Sequence, residues 1–209
     1  MNLPKKIPVF PLSNFIIFPK TSVPLNIFEP RYIEMIDDVM KGDRIIGMIQ
    51  PKKNEGVIPN LYDIGCAGKI SSFDETEDGR YLIVVKGISR FKIVKEIETK
   101  KKYRECNINF FEYSNDLVEE KKLINFSDLE LIFKNFKYLF DKMGYIINWK
   151  ELEKESLNQT INGLSMAAPF SSEEKQILLE TKNIIDRKEK LENILKTYVV
   201  DNFSNTTIQ

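Results

Sequence analysis

Histidine is absent from this 209-residue chain, and cysteine occurs only at Cys66 and Cys106. The first absence removes the commonest general base and metal ligand. Two cysteines cannot build a disulfide framework, and no CxxC pair offers a zinc site. Both lie in apolar, strand-like runs, which predicts small core residues. Long apolar runs are also missing: none approaches the roughly 20 residues that a membrane span needs. The opening MNLPKKIPVF has two lysines but no apolar run behind them, so it does not read as a signal peptide. The expected location is therefore the cytoplasm, with no membrane partner. An excess of one charge is lacking as well. Residues 1–113 carry 18 Lys and Arg against 15 Asp and Glu, and residues 114–209 carry 13 against 16. Neither half has the basic surplus that phosphate binding requires, so nucleic acid is not an expected partner. The one basic cluster, Lys100, Lys101, Lys102 and Arg104, reads as a solvated strand end.

Catalytic signatures are missing too. No GxxxxGK[ST] loop, GxGxxG fingerprint or GxSxG elbow occurs. Serine and lysine are plentiful, but nothing singles out one Ser-Lys pair. Neighbouring carboxylates such as Asp37-Asp38 and Glu119-Glu120 face different ways on a helix and read as solvated faces. No enzyme activity, cofactor or metal is expected.

What the chain does have is a globular balance of 42% hydrophobic and 30% charged residues. Its character changes near residue 114. Residues 1–113 hold short β-branched runs broken by Gly and Pro; residues 114–209 hold segments of helical spacing. The expectation is an α+β chain: a small, partly closed β-barrel domain (1–113) with one inserted helix, then a helical bundle domain (114–209). Ile7–Leu12 carries Pro8 and Pro11 and is expected at a sheet edge or bulged. A short strand follows around Val23–Ile27. Pro30 opens a helix whose apolar face is Tyr32, Met35, Ile36, Val39 and Met40, with Gly42 as its cap. Strands are expected at Arg44–Gln50, Ile64–Phe73, Tyr81–Lys86, Phe91–Ile97 and Arg104–Phe111. Asp78-Gly79 marks a hairpin turn with positive φ at the glycine.

In the second half the spacing predicts helices near Glu119–Lys142, ended by Gly144, and Lys150–Asn162. A third begins after a cap at Ser171 or Ser172. Ile177, Thr181, Ile184, Lys188, Leu191, Leu195 and Tyr198 then follow a seven-residue period, as a helix pair or one bent helix. Ser204–Gln209 reads as a frayed end.

The run Ile7–Ile36, IPVFPLSNFIIFPKTSVPLNIFEPRYIEMI, is the least generic part of the chain. It resembles the opening of the amino-terminal substrate-binding domain of the Lon protease family. The likeness rests on Pro8, Pro11-Leu12, Phe18-Pro19 and Pro24-Leu25 through Tyr32. It continues in order through Ile46-Gly47-Met48, Leu61-Tyr62, Gly65, Gly68, Ile70, Asp78-Gly79-Arg80-Tyr81, Gly87-x-x-Arg90-Phe91 and Tyr103-Arg104. The second half matches more weakly, at Glu174-Lys175-Gln176, Leu179-Glu180 and Arg187. This resemblance, over about Lys6–Lys196, implies a PUA-like barrel with helices behind it and a non-catalytic role in capturing protein substrates. It implies unfolded or specific proteins as partners, with an adaptor role beside a separate protease as one form; it leaves the oligomeric state open. The Lon ATPase and Ser-Lys peptidase modules are not expected in this chain. PUA-like barrels also bind RNA, and a small-ligand pocket stays open as an alternative.

Two candidate binding sets follow. Phe15, Ile16, Ile17 and Phe18 are four consecutive apolar residues. Extended chain would send one pair into the barrel and the other away, where the helical half covers it or it stands exposed as a binding patch. Glu29 and Arg31 lie at a strand-to-helix corner, where structural pairing competes with ligand contact. Leu12, Leu25, Phe28, Tyr32 and Phe91 are expected in the core.

Overall fold

The computed structural model describes residues 3–53, 58–118, 129–146, 148–149 and 156–204, with the backbone alone for 200–204. The chain divides into two compact units. One holds residues 1–119 with 169–180, the other 120–168 with 181–209. A single boundary near residue 113 follows chain order, but packing brings the 169–180 segment back to the first unit.

The first unit is a ring of strands. Strands β1 (Lys6–Pro11), β3 (Ile45–Ile49), β4 (Ile64–Glu75), β5 (Tyr81–Ile97) and β6 (Arg104–Asn109) close through β5–β6 pairing. Strand β2 (Ser22–Ile27) lies outside the ring, antiparallel to the first part of β5. Helix α1 (Pro30–Met40) joins β2 to β3, and a 3-10 helix (Phe111–Leu117) follows β6. Ile7, Val9, Ile49, Phe91, Cys106 and Ile108 fill the interior.

Two expectations about strands change. β5 is one continuous strand where two were expected. Extra residues on β5 at Ile88, against β4, and at Val94, against β6, bend it, while a third shift falls on β4 at Ser71; the first part of β5 pairs with β2 and β4 and its end with β6. β1 is not an edge strand: it pairs with β6 over Lys6–Val9 and with β3 over Val9–Pro11. Only Val9 has a partner on both sides. Pro8 and Pro11 each sit where one side of the strand is open, so a central strand tolerates both.

The inserted helix buries Tyr32, Met35 and Ile36 as its spacing predicts. Its exit differs. Gly42 donates to the Val39 carbonyl, but the left-handed residue is Arg44, at φ 59°. At the β4–β5 hairpin Gly79 has φ 77°, as its turn requires.

Helix α4 (Ser172–Glu180) belongs to the barrel unit. Its start is a capping box: Ser171 Oγ accepts from Glu174 N at 3.2 Å, and Glu174 Oε2 accepts from Ser171 N at 2.8 Å. Polar pins hold it. Gln50 Nε2 donates to the Ser172 carbonyl at 2.9 Å, Gln176 Nε2 to the Ile64 carbonyl at 3.0 Å, and Lys175 Nζ to the Asn14 carbonyl at 3.1 Å.

The second unit contains α2 (Glu130–Lys142), α3 (Leu157–Ala167) and α5 (Ile184–Ser204). α2 buries Ile132, Phe136, Leu139 and Phe140, and Gly144 at φ 72° follows it. The expected helix starts at Glu119 and Lys150, and the end 205–209, lie outside the described residues. The expected heptad run is a pair of helices split between the units. Asn183 caps the second, accepting from Asp186 N at 2.9 Å. Arg187 reaches Asn162 Oδ1 at 2.7 Å and the Thr181 carbonyl at 3.1 Å within the second unit. No described helix is long and apolar enough to cross a membrane.

Candidate functional site

The Phe15–Phe18 segment is not an extended strand. Ile16, Ile17 and Phe18 are all buried and Phe15 is half-buried, so neither pair stands exposed as a patch and the covered alternative fits their burial. Tight backbone ties explain this. Thr21 Oγ1 accepts from Phe18 N at 3.2 Å and donates to the Phe18 carbonyl at 2.7 Å. Lys20 N donates to the Gly87 carbonyl at 2.9 Å, and Gly87 N to the Thr21 carbonyl at 2.9 Å. A Cβ at Gly87 would collide with the Phe18 carbonyl, so the loop lies directly on β5 there.

The strand-to-helix corner is different. Ile27 ends β2 and is buried, while the next residue, Phe28, is 65% exposed. Alternation along extended chain places these neighbours on opposite sides. Phe28 is thus not the core residue expected of it. Glu29 precedes α1 in an extended conformation, its carbonyl accepting from Tyr32 N at 2.9 Å and Ile33 N at 3.0 Å. Its carboxylate does not cap the helix. It binds Arg31 instead, with Nε at 2.9 Å and Nη2 at 2.8 Å from Oε2. The Arg31 guanidinium in turn lies 4.5 Å from the centre of the Tyr32 ring.

Tyr32 meets Phe10 edge-on at 4.4 Å. Between these rings and the end of β2 lies a groove of about 160 Å³, whose walls include Phe10, Leu12, Leu25, Phe28 and Tyr32. Leu12 and Leu25 are half-buried and form walls rather than closed core. Glu29 also borders the groove, and Arg31 neutralises it. Burial raises the Tyr32 hydroxyl above its usual range, so the ring stays uncharged. Helix α1 is anchored from its far end. Tyr81 Oη donates to Asp37 at 2.9 Å and Tyr103 Oη to Asp38 at 2.7 Å. The hydrogen bond to Asp37, then burial, pushes the Tyr81 hydroxyl up to about 12. Burial, with Asp38 beside it, does the same for Tyr103.

The groove's apolar walls could hold an apolar side chain, and its lining residues include no nucleophile beside an acid-base pair. Of the sequence candidates, the structure brings Glu29 to its rim, with Arg31 paired to Glu29. It assigns Ile16, Ile17 and Phe18 to the interior. The groove's main walls were read from the sequence as core; the legible signal was the adjacent pair Ile27-Phe28 at a strand end.

Residues 6–197 match the family model of the ATP-dependent protease La (LON) substrate-binding domain. Lon protease of Dictyoglomus thermophilum is 25% identical over 207 residues, covering 92% of this chain and 24% of that protein. Lon protease 1 of Herpetosiphon aurantiacus is 33% identical over 108 residues, 49% of this chain and 13% of that protein. The chain thus spans about a quarter or less of these curated relatives' length. In fold it is similar to the Lon N-terminal domain protein from Xanthomonas campestris, with TM-score 0.63 and 18% identity over 89% of this chain and 96% of that one. The N-terminal domain of Mycobacterium avium complex Lon protease gives TM-score 0.62 and 16% identity over 94% and 99%.

Proposed function

Since this chain belongs to the Lon protease substrate-binding domain family, we propose that it captures unfolded segments of other proteins in the groove between the end of β1, the end of β2 and helix α1. The observation that carries this reading is Phe28, a large aromatic side chain left 65% exposed beside an open apolar groove. Phe28 and the groove's apolar walls are contiguous, and a contiguous exposed apolar surface supports an interaction site. Unfolded protein differs from folded protein in presenting apolar side chains, so the groove's chemistry selects for it. The curated relatives are proteases, and the captured protein is proposed to be destined for proteolysis.

The test is binding of a reduced, carboxymethylated model protein to the whole chain, followed by fluorescence anisotropy. Phe28→Ser removes exposed apolar area and leaves the core untouched. Binding should weaken about ten-fold with an unchanged melting temperature. Equal affinity of the variant and the native chain would overturn the reading.

A further inference from the structure

The groove follows a strand edge. Leu25, Asn26, Ile27 and Phe28 all border it. Successive side chains of a strand point to opposite faces, so a groove touching three strand residues in a row, Leu25 to Ile27, runs along the edge and not across one face. The other edge of β2 is taken: each residue from Ser22 to Ile27 pairs with β5. Among the described residues β2 has no second partner strand. Its outer edge therefore carries no strand beside the groove among the described residues.

Proline fits a paired strand where its missing N–H points away from the ladder. Pro24 is aligned with Val84 of β5, which places its N–H position on the outer edge. Ser22 and Asn26, two residues to either side, present their N–H and C=O groups on that same edge. Pro24 interrupts this row on one side of Asn26. The Asn26 end, next to the groove, keeps both a donor and an acceptor.

Resting on the substrate-capture reading above, we propose that an extended segment of the captured protein adds to β2 as a further strand. Its backbone bonds Asn26, and one bulky apolar side chain enters the groove against Phe28 and Tyr32. Charge complementarity selects this occupant. Glu29 borders the groove, and its carboxylate is matched by Arg31 at 2.8 Å, leaving an uncharged slot that fits an apolar side chain and disfavours an ionised one. Recognition then reads backbone conformation first and a single side chain second, which suits a receptor for many unfolded sequences.

The experiment uses the whole chain and a synthetic apolar peptide that binds it, with alternate backbone nitrogens methylated in two complementary sets. Methylation removes donors and blocks strand pairing without changing side chains. One set should weaken binding about ten-fold or more while the other is tolerated, since only alternate residues face the partner edge. Asn26→Pro should weaken binding of the unmodified peptide to a similar degree, with melting temperature monitored to confirm the fold. If Phe28→Ser abolishes binding but neither methylation set nor Asn26→Pro does, capture stands and strand addition is overturned. If Asn26→Pro only converts a dimer to a monomer in sedimentation, the edge pairs two copies of this chain and the proposal fails.

Discussion

Arg90 grips Asp116 with two parallel bonds, Nε to Oδ2 at 2.9 Å and Nη2 to Oδ1 at 2.7 Å. The Arg90 backbone N–H also donates to Oδ2 at 2.9 Å. Both side chains are buried, at 3% and 10% exposure. Nη1 donates to the Leu179 carbonyl at 3.0 Å, and the guanidinium lies 4.2 Å from the Tyr113 ring. One side chain of β5 thus fixes the 3-10 helix and the end of α4 together. Arg90→Met should lower stability by about 3–5 kcal/mol, because it strands a buried carboxylate. Arg90→Lys should recover only part, lacking the planar fork. Denaturant midpoints of the two variants check both statements, and a midpoint unchanged by Arg90→Met refutes them.

Two glycines separate two physical causes. Gly87 has a backbone that alanine can adopt, but a Cβ there meets the Phe18 carbonyl. Gly79 has open space around it, yet its φ is 77°. Gly87→Ala should cost about 2–3 kcal/mol through the clash. Gly79→Val should cost about 1–3 kcal/mol through backbone strain alone. Gly79→Asn should recover part of that loss, since asparagine tolerates a left-handed backbone. At Gly87 asparagine should do no better than alanine. Thermal melts of the four variants distinguish the two cases.

Which features were legible follows from the same distinction. Local chemistry declared itself: Pro30 at a helix start, Gly79 in a turn, Ser171 with Glu174 as a cap. Features decided by distant partners did not. Nothing near Phe15–Phe18 says that β5 receives its backbone at Gly87, 69 positions after Phe18 in the chain. Nothing near Ser172–Glu180 says that its helix returns to the barrel. Pro8 and Pro11 signalled an open side correctly, but two half-open sides in register make a central strand look like an edge. The groove joins the end of β1 to a corner some 15 to 20 residues later, and only the closed ring brings them together.

Both cysteines are buried thiols. Burial pushes the Cys106 thiol up to about 11. At pH 8 the native chain should therefore resist iodoacetamide at Cys106 and react there once unfolded. The sign for stability is set by the raised value: the folded thiol resists ionisation more than the unfolded one. Its contribution is fully present below about 9, the ordinary value, and is lost as pH climbs toward 11. Mass spectrometry after timed alkylation reads the first effect. Rapid native-state labelling at Cys106 would show an open barrel.

Under the capture reading proposed above, Ile17 and Phe28 make opposite predictions. Ile17 is 1% exposed and Phe28 is 65% exposed, although both occupy apolar positions in the same amino-terminal stretch. Ile17→Ser places a hydroxyl among apolar neighbours and leaves a cavity, which should cost about 2–5 kcal/mol and lower the melting temperature sharply. Unfolded-protein binding per folded molecule should stay at the native level, provided that it is measured well below the new midpoint. Phe28→Ser should give the opposite pattern, with an unchanged melt and weakened binding. Each variant is a control for the other, because loss of fold and loss of surface then appear in separate measurements. If Ile17→Ser weakens binding while the protein remains folded, the Phe15–Phe18 segment takes part in capture by opening from its buried state. The groove would then be only part of the binding surface.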